Sequence, residues 1–94
     1  MMVHILNRVP ADGPAAAQAL TAMAPDDRLV LIEDAVLAIR DERWSGWQDA
    51  PGRIHVLEED ADARGVADDS AADLIDIDTF VALTAEARQT VSWY

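Results

Sequence analysis

Short runs of large aliphatic residues alternate with polar and turn-forming stretches along the chain. The strongest run is residues 28–32, in which four consecutive aliphatic side chains are bounded by acidic residues on both sides. This pattern is typical of a central strand in a parallel sheet, which is buried on both faces. Residues 3–6 and 53–57 show the same pattern more briefly, and residues 74–77 repeat it with Asp76 as an interruption. The pattern therefore predicts four strands.

Helical patterns follow each of these strands. Residues 15–24 are dominated by alanine, with Leu20 and Met23 three positions apart, which favours a helix packed closely on a sheet. The other predicted helices are one that begins after an N-cap at Asp34, a short one over residues 60–64 with Gly65 as its C-cap, and a last one over residues 80–88 capped by Asp78 and Thr79. Residues 68–73 are small and polar and predict a loop.

Strands that alternate with helices predict one α/β domain over residues 1–94. This order requires parallel pairing, right-handed crossovers and helices on the faces of one sheet. The expected fold is a three-layer Rossmann-like sandwich with a mainly parallel sheet of four or five strands. Residues 90–94 form a short β-prone tail, and no internal repeat or linker divides the chain.

The composition excludes several classes of function. The chain has 18 acidic residues against seven arginines, so its formal charge of −11 repels nucleic acid and anionic lipid. It has no lysine, which excludes a Schiff base and a lysine general base. It has no cysteine, which excludes a disulfide, a thiolate metal site, a thiol nucleophile and a persulfide carrier on this chain. A chain of 94 residues also buries only a small core, and an oligomer interface would supply further burial.

The amino-terminal segment MMVHILNRVP lacks the basic region and the long apolar region of a signal peptide. No apolar run in the sequence approaches the length that a membrane-spanning helix needs. These two observations predict a cytoplasmic protein that does not associate with membranes.

Acidic residues follow the predicted strands at their carboxyl ends, where open α/β sheets normally form their sites. Together with one asparagine they are Asn7, Glu33, Asp34, Glu58, Glu59, Asp60 and Asp78. One hypothesis is a cation site in a small metal-dependent enzyme, because hard cations prefer oxygen ligands. The other is helix N-capping and ordinary solvation, since Asp34, Asp60 and Asp78 each adjoin a predicted helix. The second hypothesis is favoured, so no metal ligand is predicted.

Other residues that could carry chemistry do not form a recognisable site. His4 and His55 lie inside predicted strands, a position typical of packed or edge histidines. The segment VPADGPA after the first strand lacks the glycines and N–H donors of a phosphate-binding loop. No serine lies in a nucleophile elbow. No catalytic residue and no cofactor are therefore predicted.

Tryptophan is enriched at the energetic centres of protein interfaces, and this small chain has three. Trp44 and Trp47 lie three residues apart near the end of the second predicted helix, where core packing explains them. Trp93 lies near the carboxyl end, where docking at an interface and packing on its own chain are equally compatible with the sequence.

Five segments together resemble the TusB/DsrH family of sulfur-relay proteins. They are, in order, VHILNRVP, LVLIEDAVLAI, IHVLEEDADARG, LIDIDTFVALT and the terminal SW. The resemblance covers nearly the whole chain and implies a DsrEFH-like α/β fold. It also implies a heterohexamer with TusC/DsrF-like and TusD/DsrE-like subunits. In the TusBCD branch such a complex passes persulfide sulfur, through a TusE/DsrC-like acceptor, toward 2-thiouridine at the tRNA wobble position; in the DsrEFH branch it serves dissimilatory sulfur oxidation.

Some DsrH-type members of this family carry a cysteine in the first helix, and the corresponding segment here, AAAQALTAMA, has none. The resemblance therefore implies that the active cysteine belongs to the TusD/DsrE-like partner, and it favours the tRNA-thiolation branch. This chain would then be a non-catalytic subunit. The residues expected to line an interface or the shared site are Glu33, Asp34, Arg64 and Trp93.

Overall fold

Five short strands form the sheet. In the computed structural model, which describes residues 1–67 and 72–94, they are β1 (Met2–Leu6), β2 (Arg28–Leu31), β3 (Ile54–Leu57), β4 (Asp73–Ile75) and β5 (Gln89–Trp93). Their order across the sheet is β4-β3-β2-β1-β5, and every neighbouring pair is parallel. The predicted α/β class and parallel sheet are confirmed, and the β-prone tail supplies the fifth strand.

Helical segments connect these strands. The α-helices are α1 (Ala15–Ala22), α2 (Gly46–Asp49), α3 (Glu58–Ala63) and α4 (Ile77–Glu86), and the 3₁₀ segments are Pro10–Asp12 and Glu33–Arg40. The second of these is called the long 3₁₀ segment below. Within the described residues, no helix has the length and apolar character needed to cross a membrane.

Two apolar cores of unequal size lie on the two faces of the sheet. The aliphatic run in β2 contributes side chains to both cores, because successive strand residues point to opposite faces of the sheet. Leu29 and Leu31 belong to the larger core, which is covered by α1, α2, α3 and the long 3₁₀ segment. Val30 joins Val3 and Ile75 in the smaller core under α4. Burying each of these side chains stabilises the fold by roughly 1.5–3 kcal/mol.

The predicted helix with an N-cap at Asp34 is wrong. The chain forms the long 3₁₀ segment, which begins two residues earlier, and the Asp34 carboxylate accepts a hydrogen bond from Arg64 instead of capping backbone N–H groups. A 3₁₀ helix has about three residues per turn. Consistent with that repeat, Asp34, Leu37 and Arg40 are more exposed, while the residues between them are buried in the larger core.

The predicted cap at Asp78 and Thr79 is also wrong. β4 ends at Ile75, and Asp76 is the N-cap of α4, because its Oδ1 accepts the backbone N–H of Thr79 at 2.7 Å. Hydrogen bonds from the Thr79 hydroxyl and backbone N–H lower the pKa of the Asp76 carboxyl. The aspartate that interrupts the aliphatic run therefore marks the boundary between strand and helix.

The remaining helix boundaries differ by one or two residues from the predictions. α1 ends at Ala22, and α3 begins at Glu58, directly after β3. Gly65 follows α3 with a φ of 69°, in the left-handed region that glycine adopts without strain. Of the predicted loop over residues 68–73, Asp73 belongs to β4, and residues 68–71 lie outside the described part of the chain.

A buried polar network on the side of the larger core joins β1, β5 and the turn before β2. His4 is 1% exposed and Asp27 is 3% exposed. His4 Nε2 lies 3.0 Å from Asp27 Oδ2, and the indole N–H of Trp93 donates to His4 Nδ1 at 3.1 Å. An indole nitrogen can only donate, so Nδ1 accepts and Nε2 carries the hydrogen that is donated to the carboxylate. The imidazole is therefore neutral and bonded at both nitrogens.

Asp27 also receives two backbone donors. Its Oδ1 accepts the N–H of Met2 and its Oδ2 accepts the N–H of Ala24, each at 2.9 Å. Burial acts to raise the pKa of the Asp27 carboxyl, but the hydrogen bonds from His4, Ala24 and Met2 outweigh it and lower that pKa to about 2. The ionised carboxylate therefore fixes the turn before β2 against the start of β1.

Trp44 and Trp47 form an aromatic pair at α2. Their ring centroids lie 5.1 Å apart with an interplanar angle of 81°, and the indole N–H of Trp47 donates to the Asp41 carbonyl at 3.0 Å. Trp44 passes so close to Gly46 that a Cβ on Gly46 would lie 2.5 Å from the indole ring. Only glycine leaves room for this ring, which belongs to the larger core.

Replacing Gly46 with alanine should therefore destabilise the protein. Glycine to alanine in an exposed helix normally gains up to about 1 kcal/mol, but here the methyl group overpacks the Trp44 ring, which costs roughly 1–3 kcal/mol. Urea denaturation monitored by tryptophan fluorescence measures the difference. The matched control is Ser45→Ala, because Ser45 makes no side-chain capping bond. A Gly46→Ala protein as stable as the wild type would contradict the packing argument.

Asp27→Asn should remove part of the acid sensitivity of the fold. Because the pKa of Asp27 in the folded state lies below its unfolded value, its contribution is fully present above about pH 4 and is lost as the pH falls through about 2. The wild-type protein should lose about 2 kcal/mol of unfolding free energy over this window that the variant does not lose. At pH 7 the variant should be less stable, because an amide N–H₂ would face donors.

Urea titrations at pH 7, 4 and 2.5 measure both effects. Asp26→Asn is the control, since the Asp26 side chain is 73% exposed and its ion pair with the amino terminus spans 3.5 Å. Parallel pH profiles for the wild type and Asp27→Asn would show that the buried carboxylate does not carry this stability.

Candidate functional site

Three of the four residues expected to line a site lie together beyond the carboxyl ends of β2 and β3. Arg64 Nε donates to Asp34 Oδ1 at 3.0 Å, and Arg64 Nη1 donates to the Asp60 carbonyl at 3.4 Å. The Asp60 carboxylate accepts the backbone N–H of Glu33 at 2.6 Å. Glu33, Asp34, Asp60 and Arg64 are called the Arg64 cluster below. It joins the start of the long 3₁₀ segment to α3.

Glu33 has an unusual backbone conformation. Its φ of 49° lies in the left-handed region, which is uncommon for a residue with a side chain and costs of order 1–3 kcal/mol. The hydrogen bond from its N–H to the Asp60 carboxylate offsets part of this cost, since hydrogen bonds to a carboxylate are stronger than those between neutral groups. The turn after β2 is thus held in one conformation by α3, and the side chains of Glu33 and Asp34 face solvent.

The Arg64 cluster offers charged groups and hydrogen-bond donors and acceptors. Asp34 is paired with Arg64, and Asp60 lies 4.0 Å from the same guanidinium. In the described ranges 1–67 and 72–94, no three His, Cys, Asp or Glu side chains are grouped closely enough to hold a metal ion. Of the acidic residues at the carboxyl ends of the strands, Asp34 is bonded to Arg64 and Asp60 accepts the backbone N–H of Glu33, so neither of them is a helix N-cap. Such an arrangement suits recognition of a polar surface.

Trp93 lies apart from the Arg64 cluster. It ends β5, and β1 lies between that strand and β2 in the sheet. Its indole N–H is bonded to His4, while the ring packs against the larger core and is only partly buried. The outer side of the ring lines a shallow groove along α1, together with Pro14, Ala17, Gln18, Thr21 and Ala22. Trp93 thus packs on its own chain and also contributes to an exposed groove.

The second histidine forms a separate polar group at the opposite edge of the sheet. Arg28 Nη1 lies 3.3 Å from His55 Nε2 and 3.2 Å from the Gly52 carbonyl. An arginine can only donate, so Nε2 accepts, and Nδ1 carries the hydrogen bonded to the Asp73 carboxylate. Both imidazole nitrogens are occupied, as they are in His4. Neither histidine presents a free nitrogen to a substrate or a metal ion.

Sequence reasoning missed Asp27, Arg28 and Asp73 as partners of the two histidines. Asp27 directly precedes β2, and the acidic residues around it are solvated, so no pattern singles out the one that is buried. The partner of His55 depends on strand register, because His55 lies opposite Asp73 across the β3–β4 pair. Strand register is not readable from a single sequence. Asn7, at the end of β1, has an amide oxygen that is buried and unpartnered among the described residues.

Comparison with solved structures places the fold. The crystal structure of the YchN protein from E. coli superposes with a TM-score of 0.80 over 97% of both chains, at 14% sequence identity. The solution structure of protein Tm0979 from Thermotoga maritima superposes with a TM-score of 0.66, covering 89% of this chain and 92% of that chain, at 25% identity. These likenesses support the α/β fold described above.

Comparison of sequences is more specific. Residues 9–90 match the family described as "DsrH like protein". Protein TusB from Shigella sonnei (strain Ss046) is 34% identical over 96 aligned positions, which cover 98% of this chain and 100% of the relative. Protein TusB from Escherichia coli O139:H28 shows the same identity and coverage. The sequence resemblance is confirmed, and the chain belongs to the DsrH-like family.

Proposed function

We propose that this protein is the TusB-type subunit of a sulfur-relay complex and that residues 1–94 act as one domain within it. The observation that carries the proposal is the match to proteins named TusB over nearly their whole length. In this function the complex passes persulfide sulfur toward 2-thiouridine at the wobble position of tRNA. The expected partners are TusC/DsrF-like and TusD/DsrE-like subunits in a cytoplasmic heterohexamer, and a TusE/DsrC-like protein accepts the sulfur.

A non-catalytic role for this subunit agrees with its chemistry. Persulfide transfer requires a cysteine thiolate to attack and to carry the sulfur, and this chain has no cysteine. Both histidines are engaged by neighbouring side chains at both ring nitrogens. The transferred sulfur would therefore be held on a partner's thiol. We propose interface or site-lining roles for the Arg64 cluster and for Trp93.

The sulfur-oxidation branch of the family is the alternative. The missing cysteine in α1 and the similarity to TusB favour tRNA thiolation over that branch. The proposal of a small metal-dependent enzyme has no donor set to rest on within the described residues. The two sulfur-relay branches differ in the final acceptor, which an experiment on the cell can identify.

Two measurements test the proposed function. Co-expression with the TusC-like and TusD-like proteins of the same organism should give one complex that contains two copies of each subunit by light scattering after gel filtration. Deleting the gene should reduce 2-thiouridine in total tRNA, measured by mass spectrometry, and the wild-type gene should restore it. A chain that stays monomeric beside both companions would overturn the proposal, and unchanged 2-thiouridine in the deletion strain would overturn the tRNA branch.

Trp93→Ala should weaken assembly of this complex. Removing a tryptophan that is central to an interface typically costs about 2 kcal/mol or more, and the substitution also removes the donor to His4 Nδ1. Trp93→Phe separates these contributions, because it keeps an aromatic ring in the α1 groove without the N–H. Tyr94→Ala is the control, since Tyr94 is 68% exposed. Affinity for the co-purified companions and unfolding free energy are measured in parallel, and an unchanged affinity for Trp93→Ala refutes the interface role.

A further inference from the structure

Helix α4 has apolar side chains on two sides, and only one of these sides packs against the rest of the chain. Phe80 and Leu83 face the sheet and are partly buried against the smaller core. Ile77 and Val81, which are one helical turn apart, are 47% and 58% exposed. No residue of α4 is classed among the buried ones. An apolar stripe that the chain's own fold leaves exposed beside polar residues marks a candidate contact surface.

The sheet beneath α4 is also incompletely covered. Among the described residues, α4 is the only helix that contributes to the smaller core, whereas the larger core is covered by several helical segments. Five strands spaced about 4.8 Å apart span about 19 Å between the outer strands, and a helix with its side chains is only about 10 Å wide. Ile5 and Ile32 on this face remain only partly buried. The apolar surface on this face of the sheet is therefore only partly covered by the chain's own helices.

The charges around this surface decide which kind of partner fits it. Asp76, Asp78 and Glu86 are exposed acidic residues on or beside α4, and Glu58 and Asp73 line the groove next to it. Arg28 also lines this groove, where its guanidinium is bonded to His55 and to the Gly52 carbonyl, and Arg88 is the basic residue that follows α4. Acidic residues therefore outnumber basic ones around the stripe. A second copy of this chain, with its own formal charge of −11, would bring acidic rims into contact. Like charges at such a rim disfavour association, while opposite charges accelerate and orient it. A different protein with basic residues around an apolar centre would complement the rim.

We propose that the outer side of α4, centred on Ile77 and Val81, is the docking surface for a companion protein subunit that presents an apolar patch bordered by arginine or lysine. The proposal rests on the proposed function, because it takes that companion to be one of the other two subunits of the relay complex. Docking would cover the exposed stripe and complete the second α layer over the sheet. The acidic rim would pair with the companion's basic residues.

Val81→Glu tests the surface directly, with the co-purified TusC-like and TusD-like proteins as the probe. It places a charge in the centre of the stripe at a position that is 58% exposed, so the isolated subunit should stay folded. We expect its affinity for the companions to fall at least tenfold. Gln48→Glu is the matched control, because it adds the same charge at an exposed position of α2, on the opposite face of the sheet, and should leave affinity unchanged.

Further measurements guard against an indirect effect. Ile77→Gln should weaken assembly in the same direction without adding charge, and circular dichroism checks that both variants are folded. In the complex, hydrogen exchange at residues 77–86 should slow relative to the free subunit. Asp78→Asn with Glu86→Gln should reduce the association rate most at low salt, because rim charges act mainly on the encounter.

The outcomes separate this inference from the proposed function. If the complex forms and Val81→Glu and Ile77→Gln bind as well as the wild type, the docking surface is wrong and the relay function stands. If the free chain is a dimer in analytical ultracentrifugation and Val81→Glu makes it a monomer, the occupant is a second copy and the proposal is overturned. If no companion binds even the wild-type chain, both proposals fail.

Discussion

A single buried carboxylate connects the parts of the chain that are furthest apart in sequence. Asp27 accepts hydrogen bonds from Met2, from Ala24 and, on the same side of the sheet, from His4. His4 in turn accepts the indole N–H of Trp93, which lies 89 residues away. The carboxylate thereby fixes the tautomer of His4, and the tautomer lets β5 be held by a side-chain bond as well as by its ladder with β1. Edge strands have only one neighbour, so such a bond has more to contribute there than in the centre of the sheet.

The two faces of the sheet are unequally provided with helices, and this inequality follows from the connections. Each segment between consecutive strands from β1 to β3 returns on the side of the larger core, and α3 joins that layer as well. Among the described residues, the connection from β4 to β5 is the one that crosses on the other side, because it runs across the sheet in the opposite direction and a right-handed crossover in that direction lies on the opposite face. It does so with the ten residues of α4. One helix spread across that distance cannot cover the strands that it passes.

The sequence supports prediction of the strands better than of the segments that join them. Consecutive aliphatic residues in β2 are buried whatever the details of the turns, because the strand is central and both faces are covered. The long 3₁₀ segment could not be predicted, since its form depends on Arg64 drawing Asp34 away from a capping position and on Asp60 holding Glu33. These are contacts over about 30 residues, and local propensity contains no information on them.

The candidate site was predictable only in part. Glu33, Asp34 and Asp60 were expected at one edge of the sheet, because the carboxyl ends of parallel strands meet there, whereas Arg64 was expected only from the family resemblance. Trp93 ends up elsewhere, because β5 takes the position beside β1 at the far edge, and strand order is not encoded in the local pattern. The burial of Asp27 was not predictable, because it depends on hydrogen bonds that its carboxylate accepts from His4 and from two backbone N–H groups.

The exposed surfaces of this fold bear on how the subunit would assemble with two other kinds of chain in the proposed complex. In a heterohexamer built from three different subunits, a subunit that touches both of its companions needs two separate contact regions. The Arg64 cluster and the α1 groove with Trp93 lie on the side of the larger core, and the outer side of α4 lies on the other. Under the proposed function, contact regions on opposite sides of one sheet would let the subunit hold two partners at once, while the sulfur is carried on their thiols.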